Sequence, residues 1–300
     1  MSVNQAVIFT KPLHHLGIEL SPEKLDELTR TFFEAKGFRI TYSKSVTGLE
    51  LAARDVIRQH YILYSTAAWA EDVTISDDGK ERFTTAFDQS WDEEVSVGRI
   101  LPTTELLNRK EIDAHQLFTY WNSIFGAGKT AKLQDGFIMG YVEELDAYCI
   151  NGFYPSMEAN FYHPNTRITY YVVEFDSEQT SWSDFRKKVL GATNASNAVH
   201  ESFRGQLYSE YPVQFPGRDN FVHGSAGPFE GFVERAIHEP DFDMSANPIG
   251  AWLQEKGVTL DSFKDWKSAQ SISALGDLFD ETEEKNTDEV IQILDKVSWT

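Results

Sequence analysis

Cysteine is almost missing from this chain, since Cys149 is the only one in 300 residues. A single thiol excludes an internal disulfide and a thiolate metal cluster, and it suits a reducing compartment. Long apolar runs are missing too. No segment approaches the roughly 20 apolar residues that a bilayer-spanning helix needs, so no membrane span is expected. The opening MSVNQAVIFTKP has no basic cluster ahead of a long apolar stretch, so no signal peptide is expected and the chain reads as soluble and cytoplasmic. Positive charge is scarce: 27 Lys+Arg stand against 47 Asp+Glu, a formal net charge of −20. That balance argues against partners such as nucleic acid or an anionic membrane surface. It leaves room for a local cation cluster that holds a phosphate. Internal repeats are lacking, and the one biased tract is an acidic patch at 280–285.

What is present is enough apolar material, 41% of residues, for one large domain or two modest ones. Residues 5–10 (QAVIFT) predict a short buried strand that runs into Lys11-Pro12. Residues 21–36 predict a helix, with Ser21 as N-cap, Pro22 as the first helical residue and Gly37 as the stop. Residues 38–45 predict a strand and 49–64 a second helix that contains His60-Tyr61. Strand, helix, strand, helix opens an α+β sandwich. In the middle of the chain, 74–82 reads as a hairpin around Asp78-Gly79 and 103–125 as one long helix. Gly126-Ala127-Gly128-Lys129-Thr130 has the look of a P-loop tail, but Ser123 stands where the pattern needs glycine and a helix precedes it. A helix-ending glycine turn is the better account. Residues 167–175 predict an apolar strand, 182–190 a short basic helix and 192–219 mostly loop. Beyond 246, short helices are expected near 248–256 and 288–297.

The chain is organised around 220–237, NFVHGSAGPFEGFVERAI. Pro228 suits a first helical position, and Phe229, Phe232, Val233, Ala236 and Ile237 recur with helical spacing. His223 sits at the joint between strand end and helix, where unpaired backbone N–H groups favour an anion. A lone histidine there ordinarily only caps a turn, and Glu234 would then be a solvated helix charge. Neutral imidazole is also a nucleophile near pH 7, and Glu234, eleven residues on, is placed to orient it. The rest of the chain supplies company: Lys11, Tyr61, Lys187, Thr193, Arg204 and Asn220. Cations, hydroxyls, an amide, a nucleophile and a carboxylate together suit phosphoryl transfer, whose transition state spreads charge over equatorial oxygens.

Those residues carry a resemblance to nucleoside diphosphate kinases. NFVHGSAG resembles the family's N-x-x-H-G-S-D around its phosphorylated histidine. Lys11-Pro12, His60-Tyr61, Gly152-Phe153-Tyr154-Pro155-Ser156, Leu190-Gly191-Ala192-Thr193-Asn194 and Phe203-Arg204-Gly205 follow the family's other motifs in order. The resemblance implies a ferredoxin-like βαββαβ antiparallel sheet with helices on its faces, covering roughly 3–64 and 151–240. It implies a ping-pong kinase in which His223 passes the γ-phosphate of ATP, carried with Mg²⁺, to a nucleoside diphosphate. Lys11, Tyr61 and Asn220 would then lie near the transferring phosphate and sugar hydroxyls. Thr193, Arg204 and Lys187 would hold phosphates, Phe153 would stack on the base, and Glu234 would steady the His223 ring. No protein metal cage is implied, and a homodimer is. Lys187 replaces the family's arginine, which costs the planar fork, and Ala226 replaces its aspartate. The expected organisation is a first core part at 1–64, an inserted α+β segment at 65–150, a second core part at 151–245 and a C-terminal helical extension at 246–300. The competing reading is a catalytically weak nucleotide-binding or regulatory protein that kept the fold.

Overall fold

A computed structural model describes residues 3–299. Its strands are β1 (Val3–Thr10), β2 (Arg39–Thr47), β3 (Thr130–Gln134), β4 (Phe137–Val142), β5 (Ala147–Ile150), β6 (Arg167–Asp176) and β7 (Val222–Gly224). Among the described residues they form a four-stranded sheet in the order β2-β6-β1-β7 and a three-stranded sheet in the order β3-β4-β5. Every pairing in both sheets is antiparallel. The chain divides into two compact units: one of 1–56, 161–270 and 277–300, the other of 57–160 and 271–276.

The first unit has the ferredoxin-like order: β6 lies between β1 and β2, and β1 lies between β6 and β7. The first crossover is the helix Pro22–Ala35, capped by the Ser21 side chain on the Lys24 N–H with Pro22 leading. The second runs through a helical stretch at 182–190 and the helix Phe203–Glu210. These helices cover one sheet face, where Ala6, Ile8, Tyr171, Val173 and Phe175 meet Leu25, Phe33, Trp182, Phe185 and Phe203 in one apolar cluster. The helices Pro228–His238 and Pro248–Glu255 cover the other face of β1. Strand β1 is therefore buried along nearly its whole length, which explains its continuous apolar run.

Polar residues on so buried a strand must find partners. Gln5 accepts from Arg235 at 2.8 Å and Asn247 at 2.7 Å and donates to the Ala246 carbonyl and to Glu174, each at 2.9 Å. Arg235 forks onto Glu239 at 2.7 and 2.9 Å, and both side chains are buried. This network ties Pro228–His238 to β1.

In the second unit, the β3-β4-β5 sheet packs with helices that include Asp77–Phe87 and Ala114–Gly126. Leu117, Trp121, Ile124, Val142 and Cys149 share one cluster, and Phe83, Trp91, Phe137, Met139 and Tyr148 another. Burial pushes the Cys149 thiol up to about 12, so it is inert packing.

Several elements differ from their expected form for local reasons. The stretch read as a hairpin begins a helix instead, because the Ser76 hydroxyl accepts from Gly79 N–H and Asp77 and Asp78 occupy the favourable first turn. The span 103–125 is two helices: Glu111 takes a left-handed φ of 52° and Asp113 starts a new capping box with Gln116. The expected helix at 49–64 breaks at Asp55, φ 52°, and again at Tyr61, into three short pieces. The expected loop at 192–219 contains Phe203–Glu210, capped by Ser202. The extension beyond 246 carries Leu260–Ala269 and Ile272–Thr282 besides the two helices expected there. Gly126 does end a helix, and β3 begins at Thr130; helix-turn-strand is the reverse of a P-loop.

Replacing Arg235 with methionine strips Glu239 of its buried counter-charge. Loss of one partner of a buried pair costs about 3–5 kcal/mol, so urea unfolding of R235M is expected to shift by that amount. A change below about 1 kcal/mol would show that this pair does not hold the helix to the sheet.

Candidate active site

The site is built where β7 joins the edge of β1, with Phe9 opposite His223 and Ile8 opposite Gly224. The backbone turns sharply just before it. Phe221, fully buried, holds a φ of 63°, a conformation that costs a bulky residue of order 1–3 kcal/mol. The turn is held by Lys11 N–H donating to the Phe221 carbonyl at 2.7 Å. After β7, Ser225 N–H donates to the Val7 carbonyl at 3.0 Å, and Pro228 opens the helix that carries Glu234.

His223 is gripped from two directions. Its Nε2 lies 2.6 Å from Glu234 Oε1, and its ring stacks on Phe9 with centroids 4.6 Å apart at 18°. The other Glu234 oxygen accepts from the Ser225 hydroxyl at 2.6 Å. Burial lowers the His223 pKa to about 3, opposed by Glu230 and reinforced by Lys11, Arg204 and Arg186. The ring is therefore neutral near pH 7. Burial pushes the Glu234 carboxyl well above the usual range, against the Ser225 hydrogen bond. The tautomer depends on the charge of Glu234. Ionised, it accepts from Nε2–H and leaves the ring's lone pair on Nδ1; protonated, the form that burial favours, it donates to Nε2 and puts the ring proton on Nδ1.

Around this pair lie cations in an otherwise acidic chain. Lys11 follows β1, and its Nζ reaches the Arg218 carbonyl at 3.4 Å. Burial first, then Arg204 and Arg218, lower its pKa to about 7 against the pull of Asp219. Arg204 is buried, with its guanidinium on the Val222 carbonyl at 2.7 Å and the Gly191 carbonyl at 2.6 Å. Gly191 has a φ of 92°, and a Cβ there would strike the Ser202 side chain. Asn220 is 2% exposed; its amide donates to the Gly217 carbonyl at 3.1 Å, while Oδ1 has no partner among the described residues. A buried acceptor left in this state costs about 1–3 kcal/mol. A water or any other donor that reaches it would satisfy it.

The expected residues divide. Lys11, Arg204, His223 and Glu234 are electrostatically coupled in one cluster, and Asn220 lies on the same turn. Lys187 is exposed and pairs with Glu284 at 2.7 Å. Thr193 is exposed, and its carbonyl accepts from the Tyr208 hydroxyl at 2.6 Å. Tyr61 and Phe153 belong to the second unit. There Tyr61 sits edge-on to His60 at 4.5 Å, and Phe153 packs near Trp121 and Tyr64.

Two groups, Asp219 and Glu230, escaped the sequence reading, and Arg186 entered it only as the neighbour of Lys187. Asp219 is buried between His15, at 3.1 Å, and Arg218, at 2.7 Å; burial raises its pKa, but those two partners outweigh burial and hold it low. Glu230 accepts from Ala226 N–H, and burial and Glu234 push its pKa up to about 7. Arg186 pairs with Glu283. The adjacency of Arg218 and Asp219 to Asn220 was the one available signal.

No protein-family model matches the chain, and no curated protein does. Among solved structures it is similar to the apo nucleoside diphosphate kinase of Encephalitozoon cuniculi: 14% identity, 79% of this chain and 90% of that one, TM-score 0.37. It is also similar to the Borrelia burgdorferi enzyme with bound vanadate and ADP (14% identity, 80% and 89%, TM-score 0.33). A third is the NDP kinase of Pyrobaculum aerophilum (15% identity, 80% and 97%, TM-score 0.35). Among the described residues, no helix is long and apolar enough to cross a membrane.

With burial dominating both imidazoles, His223 and His238, whose pKa is also lowered to about 3, are expected to remain neutral from pH 8 to pH 5. Ring ¹⁵N shifts check this. A His223 midpoint near the unperturbed 6.5 would contradict the burial described.

Proposed function

We propose that the chain is a phosphotransferase working through His223, with a Mg²⁺-bound nucleoside triphosphate such as ATP as donor and a nucleoside diphosphate as acceptor. The observation that carries this reading is the clamp from His223 Nε2 to Glu234 beside a lysine and an arginine. The Nδ1 lone pair attacks the γ-phosphorus. The bond from that phosphorus to the β–γ bridging oxygen breaks, and its electron pair leaves with the nucleoside diphosphate. This step needs Glu234 ionised; the positive charge that the imidazole gains as the N–P bond forms favours that form against burial, and the carboxylate offsets the charge through the Nε2–H. A second diphosphate then attacks the phosphorus with a terminal oxygen, the N–P bond breaks, and the lone pair returns to Nδ1. Lys11 stabilises the equatorial oxygens, and Asn220 Oδ1 accepts from a ligand hydroxyl. Mg²⁺ arrives with the phosphates as part of the substrate. A homodimer and a cytoplasmic setting belong to the same reading.

A second reading has its own support. Arg204 hydrogen-bonds backbone carbonyls and Lys187 pairs with Glu284, which favours a nucleotide-binding protein with weak catalysis. GTP formation from ATP and GDP separates the two. The first reading expects turnover that His223→Ala abolishes; nucleotide binding without turnover would overturn it.

Glu234→Gln tests the orienting role. An amide that donates to Nε2 imposes the Nδ1–H tautomer and removes the nucleophile. Turnover is expected to fall roughly 10²–10⁴-fold, the scale of a wrong tautomer, with KM little changed. An unaltered rate would contradict the role.

Lys11 gives a proton signature. With a pKa of about 7 it is mostly neutral at pH 8 and charged at pH 6, and an arriving phosphate favours the charged form. Calorimetry in buffers of different ionisation enthalpy is expected to show proton uptake on ATP binding at pH 8 that vanishes at pH 6. The absence of uptake at pH 8 would remove Lys11 from the phosphate site.

A further inference from the structure

The acidic patch at 280–285 is the sequence feature that the proposed chemistry leaves unused, and the structure brings it to the loop that carries His223. Glu284 N–H donates to the Ala226 carbonyl at 2.9 Å, and Glu284 takes a left-handed φ of 57°. Gly227 is so close that a Cβ there would lie 2.6 Å from the Thr282 carbonyl oxygen. The backbone after the turn is anchored independently of its acidic side chains. Thr287 N–H donates to Asn4 Oδ1 at 2.9 Å, and Asn286 Oδ1 accepts from Trp182 N–H at 3.0 Å.

The carboxylates of this turn meet the cations of the 182–190 stretch. Glu283 pairs with Arg186. Glu284 pairs with Lys187 at 2.7 Å, accepts from the Ser183 hydroxyl at 3.1 Å and lies 3.8 Å from Arg186. Arg186 also belongs to the field that acts on the His223 ring. Two cations and a hydroxyl converging on carboxylate oxygens form the donor set of a phosphate site. Here that set is filled by the chain itself.

We propose that Glu283 and Glu284 occupy the cation pair Arg186 and Lys187, the second of which stands at the phosphate-holding position implied by the resemblance, until a polyphosphate displaces them. The proposal rests on the phosphotransferase reading for the class of its ligand. Displacement needs only side-chain rotation. The Glu283 and Glu284 side chains are 40% and 30% exposed and that of Lys187 is 63% exposed, and pairs this exposed are weak. The acidic turn therefore sets a threshold: a ligand with several negative charges competes, and a singly charged one does not.

The test uses the full chain with Glu283→Gln and Glu284→Gln together, and inorganic pyrophosphate as probe in a calorimeter. These substitutions keep shape and leave the backbone anchors intact. Pyrophosphate is expected to bind the variant about tenfold more tightly than the wild type. The control is Asp280→Asn with Glu281→Gln, two exposed positions of the same patch that remove the same charge, and it is expected to stay within twofold of the wild type. Equal affinity in all three proteins, an equal gain in both variants, or no pyrophosphate binding to any of them would overturn the proposal. His223 phosphorylation by labelled ATP is scored on the same preparations. A tenfold gain without label would sink the phosphotransferase reading and leave the self-occupied site standing.

Discussion

The pairing of His223 with Glu234 is the interaction on which the rest of the first unit converges. It needs β7 beside β1, so that Phe9 lies under the imidazole. It needs Pro228–His238 seated on the buried face of β1, so that Glu234 reaches back across the loop. The helix is seated by Gln5, Arg235 and Glu239, all buried. The positive φ of Phe221 lets the chain turn into β7 at the right residue. The Phe221 conformation is costly by itself. Together these features hold one neutral imidazole in one orientation.

Electrostatics in this protein are local rather than global. A chain of net charge −20 repels anions at long range, yet Lys11, Arg204, Arg186 and Arg218 lie within one electrostatic neighbourhood. Burial amplifies their effect, because the interior screens charge far less than water does. The same burial keeps His223 unprotonated and draws Lys11 down to about 7. Lys11 is therefore poised between charged and neutral forms near physiological pH.

Much of the fold was legible in the sequence because its signals are short-range. Ser21-Pro22, Gly37 and Pro228 punctuate helices by mechanisms confined to one turn, and the Thr193 and Arg204 segments did fall between β6 and β7. Glu234 was legible as the partner of His223 because only a short turn separates β7 from the helix that carries it. Cap competition hid more: Ser76 turned an Asp-Gly hairpin signal into a helix start, and Asp113 broke a long apolar periodicity. The sheet order escaped the residues read alone because β7 is three residues long and owes its existence to β1. The pairing of Lys187 with Glu284, 97 residues apart, has no local signature at all. Asp219 between His15 and Arg218 likewise depends on a tertiary approach.

The most direct measurement is ³¹P NMR of the protein after reaction with ATP and Mg²⁺, at alkaline pH where phosphohistidine persists. The account predicts a single resonance with the shift of an Nδ1-phosphohistidine, absent from His223→Ala. A phosphate on Nε2, or on a carboxylate or hydroxyl, would contradict the orientation that Glu234 gives the ring. No phosphoprotein under conditions where ATP binds would contradict the chemistry itself.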